Sequence, residues 1–271
     1  MSFFQRIVLP AACQGGGPVV YDTDAQAYFN AVVSAGGAAL DGTHKGAINT
    51  LVVGLKADSL WTKIDALWLF ANQHATAALL DIKSLRTATA VNTPTFTADQ
   101  GYAGNGTTSY VNTTYNPSSH GSQFTQNSAH MMAYTRTSAT PSGARALCGA
   151  TNGSTIYTAM GDNFITMNDA TAVFGGPAST AGCYVGVRTS SSAVALDHNG
   201  SSVASSGAST SVGLPNLSLF VGARNNAGSP DLLTTLQMSA FSVGAALNGT
   251  ERANLNTRIE AYMDALGTGV Q

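Results

Sequence analysis

The first chemistry to test in this sequence is glycan hydrolysis, because that reaction needs only two carboxylates flanking the bond that breaks. The chain has only two glutamates, Glu251 and Glu260, and both fall in a helical segment near the C terminus. Asp162 and Asp169 flank the run NFITMN, but strict alternation along a strand places residues seven apart on opposite faces. The sequence therefore predicts no enzyme and no catalytic residue, and glycan hydrolysis is kept as a remote alternative.

Motifs for other kinds of catalysis are absent from the sequence. No Gly-x-Ser-x-Gly elbow and no His-Glu-x-x-His pair occurs, and the five histidines are widely spread. The glycines of GYAGNG are followed neither by the Lys-Ser/Thr of a phosphate-binding loop nor by a helical pattern. The sequence therefore carries no motif for a nucleophilic triad, for zinc hydrolysis or for P-loop phosphate binding.

One oxygen-rich stretch is a candidate calcium site. Asp162, Asn163, Asn168 and Asp169 are the best group of oxygen ligands in the chain, although the spacing of an EF-hand is absent. Aspartate and asparagine in such clusters also serve as ordinary turn residues. We therefore expect no cofactor, with Ca²⁺ held by Asp162 and Asp169 as the alternative.

The three cysteines, Cys13, Cys148 and Cys183, form no metal-binding pattern. Cys148 and Cys183 lie in strand-like runs, where they are either reduced and buried or bonded to each other, and the sequence favours reduced thiols. Cys13 stands beside QGGG in a segment with little preference for regular structure. It is a candidate for a disulfide between subunits.

Tyrosines beside asparagine and aspartate are candidate carbohydrate contacts, because an aromatic face and polar groups together suit a sugar. The candidates are Tyr102, Tyr115 and Tyr157, together with His120 in the loop NPSSHGS. The alternative is a place in the core, which we favour for Trp61 and Trp68 on their apolar stripe.

The stretch DQGYAGNGTTSYVNTTYNP has the pattern of a hairpin that opens a β-sandwich. Asn105-Gly106 predicts the turn and Tyr110-Val111 the strand. Because Tyr110 and Tyr115 are five residues apart, alternation places them on opposite faces, and at most one of them faces a ligand.

The composition limits the class of partner. Charged residues make up 10% of the chain, against about 25% in an average soluble domain, and the net charge is −2. Such a surface has no long-range attraction for nucleic acid or anionic membranes. No apolar run approaches the ~20 residues of a membrane helix. We expect a chain packed into an assembly, as a homo-oligomer.

The elements that position these residues change type along the chain. Residues 1–22 are predicted to form an extended arm, residues 23–90 a helical domain, and residues 91–271 a β-sandwich with a C-terminal helix. The helical stripes are Ala25, Tyr28, Phe29 and Val32, then Ile48, Leu51, Val52 and Leu55, then Leu60, Trp61, Ile64, Leu67 and Trp68. The predicted N-caps are Thr43 for the second helix and Asp58 or Ser59 for the third.

The β-region is recognised by short apolar runs that alternate with turn residues about every 8–12 positions. The runs are AHMMAYTRT, ARALCGA, STIYTAMGDN, NFITMNDA, GCYVGVRT, AVALDHNGSS, LSLFVGARNN and LQMSAFSVG. Asn248 and Glu251 then have capping-box spacing, ahead of a helical face at Leu255, Ile259, Tyr262 and Leu266. The predicted class is α+β: an arm and a helical hairpin, then a large antiparallel jelly-roll sandwich closed by a helix.

The order of the motifs resembles the concanavalin A-like, laminin-G-like jelly-roll family over residues 95–266. Its early "DG…yv" signature matches Asn105-Gly106 through Tyr110-Val111, with Asn in place of Asp. Its later signatures match His198-Asn199-Gly200, Val221-Gly222, and Ala246-Leu247 through Leu255. The resemblance implies a lectin-like sandwich. Some laminin-G-like domains bind calcium, and the glycosidases of this fold carry a Glu-x-Asp-x-Glu strand that is missing here.

The helical leader joined to this sandwich resembles virion proteins of tailed phages and prophages. That resemblance implies a non-enzymatic structural protein, as a capsid decoration or tail subunit, made in the bacterial cytoplasm and located in the virion. Its arm and helices would contact other virion proteins. The alternative is a carbohydrate-binding adhesin for host adsorption, which would bind a surface glycan.

Overall fold

The computed structural model describes residues 19–138, 145–153, 155–176 and 181–271. The described helices are α1 (Thr23–Ser34), α2 (Gly42–Ala57), α3 (Ala75–Leu79), α4 (Pro117–His120) and α5 (Gly249–Ala265), with a 3-10 turn at Trp61–Lys63. The described strands are β1 (Ile64–Leu69), β2 (Thr89–Val91), β3 (Thr95–Thr97), β4 (Gly101–Ala103), β5 (Tyr110–Asn112), β6 (Ala129–Thr135), β7 (Cys148–Thr151), β8 (Tyr157–Met160), β9 (Phe164–Asp169), β10 (Val173–Phe174), β11 (Gly182–Arg188), β12 (Val194–His198), β13 (Ser201–Ser206), β14 (Phe220–Val221), β15 (Arg224–Asn226), β16 (Ser229–Asp231) and β17 (Gln237–Gly244).

The strands form two sheets. The first sheet has the order β13-β12-β11-β6-β17-β4-β3, with β1 also paired to β17. The second has the order β10-β9-β8-β7-β14-β5-β2, and the β15–β16 hairpin joins it through β7. All pairs are antiparallel except β15 with β7. The predicted α+β sandwich with a C-terminal helix is confirmed.

The first sheet is the middle of three layers, which explains why its central strands are apolar on both faces. Every residue of β6, β11 and β17 is buried. Along β6, Met132 and Tyr134 belong to a cluster shared with the helices, whereas Met131 and Ala133 belong to the cluster between the sheets. The helices therefore cover one face of this sheet and the second sheet covers the other.

Three predicted helical faces are confirmed. Ala25, Tyr28, Phe29 and Val32 are buried on α1, and the Ile48–Leu55 stripe is buried on α2. Asn248 and Glu251 form the predicted capping box at the start of α5, where Leu255, Ile259 and Tyr262 of the predicted face are buried. The N-cap of α2, however, is Asp41 rather than Thr43, because the Asp41 carboxylate accepts a hydrogen bond from the His44 backbone at 2.9 Å.

The prediction of a third helix through Trp68 is wrong. Asp58 ends α2, and Ile64–Leu69 is strand β1, which pairs with β17. This segment faces two apolar layers, so it is apolar on both faces, and a fully buried strand cannot be told from a buried helix by periodicity. The domain boundary predicted at residue 90 stays a prediction. One buried cluster contains residues from both sides of it.

The predicted hairpin at Asn105-Gly106 is also corrected. The turn exists, since the Asn105 side chain accepts bonds from three following backbone N–H groups and Gly106 has φ +76°. However, β4 belongs to the first sheet and β5 to the second, so the turn is an arch between sheets. Gly101 has φ +101°, and a Cβ there would lie 2.1 Å from the Met238 carbonyl oxygen, so this close approach requires glycine.

Two further predictions concern the N-terminal arm and the absence of a membrane-spanning helix. Most of the predicted arm, including Cys13, lies outside the described residues. Among the residues that the structure describes, no helix is long and apolar enough to cross a membrane.

His130 on β6 makes stability depend on pH. Its ring is fully buried, Nδ1 lies 2.6 Å from the Ala245 carbonyl and Nε2 lies 3.2 Å from the Ser242 hydroxyl. Burial outweighs the hydrogen bond to Ala245 and lowers the pKa of His130 from 6.5 to about 4. The unfolded chain therefore takes up this proton first as the pH falls.

We expect this histidine to stabilise the fold fully above pH 6.5, with about 2–3 kcal/mol lost between pH 6.5 and 4. Urea unfolding at several pH values should show a shallower acid slope for His130→Gln. The control is His44→Gln, because hydrogen bonds to Asp99 and Asp41 outweigh burial and raise the pKa of His44. The stabilising effect of His44 is therefore lost as the pH rises above 6.5, so His44→Gln should leave the acid slope unchanged. Equal acid slopes for His130→Gln and the wild type would contradict the prediction.

Candidate functional site

The outer face of the second sheet carries a pocket where β8, β9 and β10 meet the β15–β16 hairpin. Strand alternation builds its floor: Ile165 and Met167 point into the core between the sheets, so Phe164 and Thr166 point outward. The pocket has a volume of about 260 Å³. The described residues that line it are Tyr157, Phe164, Thr166, Ala170, Ala172, Phe174, Arg224 and Leu232.

Aromatic rings form much of the pocket surface. Phe174 on β10 is 72% exposed, which is unusual for a phenylalanine. Its ring centroid lies 6.2 Å from that of the buried Phe164, with the planes tilted by 49°. Tyr157, which is partly exposed, lies on β8, the strand next to β9 on the side away from β10. The pocket thus presents apolar rings that a ligand can cover.

Arg224 is held in place by a two-point ion pair. Its Nε and Nη2 lie 2.8 and 2.6 Å from the two carboxylate oxygens of Asp231, across the β15–β16 pair. The Asn226 amide donates a third bond to that carboxylate at 2.9 Å. The guanidinium carbon lies 5.5 Å from the centre of the Tyr157 ring, within cation–π distance. Arg224 is therefore oriented in advance and keeps further N–H groups for a ligand.

Two hydroxyl groups complete the polar part of the pocket. Within the described part of the chain, neither the Tyr157 hydroxyl nor the Thr166 hydroxyl has a protein hydrogen-bond partner, although both residues line the pocket. Each group can both donate and accept a hydrogen bond. The pocket therefore combines rings, hydroxyls and a fixed cationic donor, which is the usual composition of a small-molecule site.

A buried ion pair anchors the β9–β10 hairpin, which forms one side of the pocket. Arg188 is fully buried, and its Nη2 lies 3.3 Å from Asp169 at the end of β9. Arg188 also donates to the carbonyls of Met167, Ser190 and Ser209 at 2.6, 3.1 and 2.8 Å. The Asp169 carboxylate accepts from the backbone N–H of Ala170 at 2.6 Å. This network sets the direction in which the chain leaves β9 toward Ala172 and Phe174.

The structure separates the predicted carbohydrate contacts. Tyr157 lines the pocket, but Tyr102 and Tyr115 are only 4% and 1% exposed and belong to the core between the sheets. The Tyr115 hydroxyl donates to Asp65 at 2.9 Å, which satisfies it within the fold. His120 is exposed, but its ring lies near that of Tyr115, 6.1 Å between centroids, and it does not line the pocket. Tyr102 and Tyr115 are thus core residues.

The predicted metal ligands are paired with arginines. Asp162 lies 3.4 Å from Arg145, and Asp169 is bound to Arg188. The Asn168 amide oxygen accepts from the Thr158 hydroxyl at 2.7 Å. Within the described residues no group of three His, Cys, Asp or Glu side chains could hold a metal ion. The two aspartates therefore neutralise buried cations, which explains their place beside the strand NFITMN.

Cys148 and Cys183 are both free and buried. Cys148 belongs to the cluster between the sheets and Cys183 to the cluster under the helices. Burial raises the pKa of both thiols. The preference for reduced thiols at these two positions is confirmed.

Sequence inspection missed most of the pocket. Phe164 and Thr166 alternate in a run recognised as a strand, so their shared face was accessible from the pattern. Phe174 and Arg224 carry no such signal, because a two-residue strand and a distant hairpin bring them to the same place.

Solved structures share the fold at low sequence identity. A mutant of Trypanosoma rangeli sialidase displaying trans-sialidase activity matches with a TM-score of 0.53 and 12% identity, over 83% of this chain and 39% of that one. T. rangeli sialidase in complex with sialic acid matches with a TM-score of 0.52 and 12% identity, over 83% of this chain and 39% of that one. The same sialidase in complex with the inhibitor DANA matches with a TM-score of 0.50 and 14% identity, over 77% of this chain and 38% of that one. This chain thus spans about two fifths of the length of these sialidases.

No protein-family profile matches the chain, and a search of curated sequences finds no match. The likeness to the sialidases establishes an antiparallel sandwich fold, and at 12–14% identity it does not assign an activity.

These findings correct the predicted function. The prediction of a non-enzymatic bacteriophage virion protein is wrong, because the solved structures that match most of this chain include sialidases. A match over 83% of the chain includes part of residues 1–90, since 91–271 make up only about two thirds of it. The likeness to the sialidases is therefore not confined to the predicted sandwich. Location, partners and oligomeric state stay predictions.

Proposed function

We propose that this chain is a carbohydrate-binding protein whose pocket on the outer face of the second sheet holds a single sugar ring. The observation that carries the proposal is the juxtaposition of the exposed Phe174 ring and the partly exposed Tyr157 ring with Arg224, which Asp231 holds in a fixed orientation. A large exposed apolar side chain beside convergent polar groups marks a binding surface.

The chemistry of a sugar suits this arrangement. One face of a pyranose ring presents C–H groups, which pack on an aromatic ring, and its edge carries hydroxyl groups that donate and accept hydrogen bonds. Phe174 and Tyr157 supply the apolar surface, whereas Thr166 and Arg224 supply polar partners. The volume of about 260 Å³ lies just below the roughly 300–1,000 Å³ of drug-sized sites, which suits one ring better than a longer ligand.

Two further observations support carbohydrate binding rather than another ligand class. The structures that share the fold include a sialidase in complex with sialic acid. The sequence motifs resemble the concanavalin A-like, laminin-G-like sandwiches. Most glycoside hydrolases use two carboxylates across the scissile bond, whereas the described lining residues include none, and Asp231 is engaged by Arg224. Binding is therefore the function that the pocket supports best.

The test is a glycan array followed by calorimetry on the glycan that is retained. We expect Phe174→Ala and Tyr157→Ala each to weaken binding about tenfold, because a central aromatic contact contributes more than about 1 kcal/mol. Val53→Ala is the matched control, since Val53 is 48% exposed on α2 and does not line the pocket.

The same preparations separate binding from the alternatives. Circular dichroism melting confirms that each variant is folded, so that lost binding is not lost structure. If no glycan is retained by the wild type, or if both aromatic variants bind as well as it does, the proposal fails. Release of free sugar from a retained glycan would show that the chain is a hydrolase.

A further inference from the structure

The charge of the pocket is balanced, which bears on the class of sugar that the proposed function would involve. Arg224 is the only charged side chain among the described lining residues, and Asp231 contacts it through both carboxylate oxygens. The side chains of Arg224 and Asp231 are 18% and 30% exposed, so the pair is partly shielded from solvent. Arg145, which precedes strand β7 of the second sheet, is likewise paired, with Asp162.

We infer that the pocket selects neutral sugars and discriminates against acidic ones such as carboxylated or sulfated sugars. An anionic group that approaches Arg224 gains attraction to the guanidinium but is repelled by the Asp231 carboxylate, which lies 2.6 Å from that guanidinium. The two contributions largely cancel, while the anion still loses its hydration. No unmatched cation in the described lining offsets that loss.

A neutral hydroxyl meets no such penalty. Arg224 uses Nε and Nη2 for Asp231, and its Nη1 has no protein partner within the described part of the chain. Asp231 prevents the guanidinium from turning away, so Nη1 presents its N–H groups in a fixed direction. A sugar hydroxyl can accept from Nη1 without losing a full charge from water. The ion pair therefore acts as a neutral, rigid hydrogen-bond donor.

The salt dependence of binding follows from the same charge balance. A neutral ligand at a neutral pocket has no net Coulomb attraction for salt to screen, so its affinity changes little with ionic strength. An acidic ligand held by an unpaired arginine would lose affinity as salt is added. Salt dependence thus reports whether the Arg224 charge is available to the ligand.

The experiment uses the full chain on a glycan array with neutral, sialylated and sulfated members, followed by calorimetry at 0.05 and 0.5 M NaCl. We expect the wild type to retain neutral glycans, with an affinity that changes less than about twofold between the two salt concentrations. Asp231→Asn removes the negative charge with little change in shape. It should raise the ratio of acidic to neutral glycan binding about tenfold or more and introduce salt dependence.

Asp58→Asn is the matched control. Asp58 forms a similar two-point pair with Arg258, at 2.8 and 3.2 Å, between α2 and α5 rather than at the pocket. The Asp58→Asn variant should leave glycan selectivity unchanged. A wild type that prefers acidic glycans and loses affinity in salt would overturn the inference and leave carbohydrate binding standing, as would an Asp231→Asn variant with unchanged selectivity. Retention of no glycan by the wild type would overturn both.

Discussion

Replacing Arg188 with methionine is expected to lower the free energy of unfolding by about 3–5 kcal/mol. Arg188 has no exposed surface, and Asp169 opposite it is 4% exposed at the side chain. Methionine fills much of the same space but leaves the Asp169 carboxylate buried without its counter-charge. It also removes the Arg188 N–H groups that donate to the carbonyls of Met167 and Ser209. Urea denaturation followed by fluorescence measures the loss.

A double variant separates the charge from the packing. Arg188→Met combined with Asp169→Asn removes both charges, so part of the lost stability should return. Arg258→Met is the surface control, because Arg258 is 38% exposed beside Asp58 and such pairs contribute only about 0–1 kcal/mol. A loss below about 1 kcal/mol for Arg188→Met, similar to the surface control, would show that the buried pair is not essential.

The Arg188 variant should also weaken the pocket. The Arg188–Asp169 network holds the end of β9, from which the chain continues to the lining residues Ala170, Ala172 and Phe174. If the variant is folded at low temperature, its glycan affinity should fall although Arg188 itself does not line the pocket. This outcome would show that the buried Arg188–Asp169 pair affects binding because it sets the direction of the β9–β10 hairpin.

Replacing Trp68 with alanine is expected to lower the free energy of unfolding by about 3–5 kcal/mol as well. Trp68 has no exposed surface and stacks on Phe241, with 6.0 Å between ring centroids and 28° between planes. Its indole N–H donates to the Leu79 carbonyl at 3.2 Å. Alanine would leave a cavity between the two sheets, because the close-packed neighbours relax only in part. It would also remove the indole donor to the Leu79 carbonyl, which keeps its bond from the Ala88 N–H at 2.7 Å.

Trp68→Phe is the matched variant for this position. It keeps an aromatic ring against Phe241 but removes the indole N–H, so we expect a smaller loss of about 1–2 kcal/mol. Urea denaturation of both variants gives the comparison. Equal losses for the two would mean that the hydrogen bond to Leu79, and not the filled volume, is what matters at this position.

The sequence by itself determined the elements whose signals are local. The capping box of Asn248 and Glu251 and the single buried stripes of α1, α2 and α5 each depend on neighbours within a few turns of helix. Strands such as β6, β7, β9, β11 and β17 are likewise recognised as short apolar runs, since turn residues separate them. These signals were sufficient for the α+β sandwich and its order of elements.

Only the tertiary structure decided how the layers share these elements. Strand β1 was mistaken for a helix because both of its faces are buried, and burial on two faces removes the alternation that identifies a strand. The Asn105-Gly106 turn was placed correctly, but pairing partners far along the chain decide that β4 and β5 enter different sheets.

The pocket depends on the same long-range pairing. Tyr157 and Arg224 lie far apart in sequence, and the contact of β15 with β7 brings them to one surface. Whether a tyrosine faces a ligand or the core depends on the register and on which layer covers that face, so Tyr115 and Tyr157 could not be told apart from the sequence. Strand pairing is not encoded in local periodicity, and for that reason only the folded chain reveals this site.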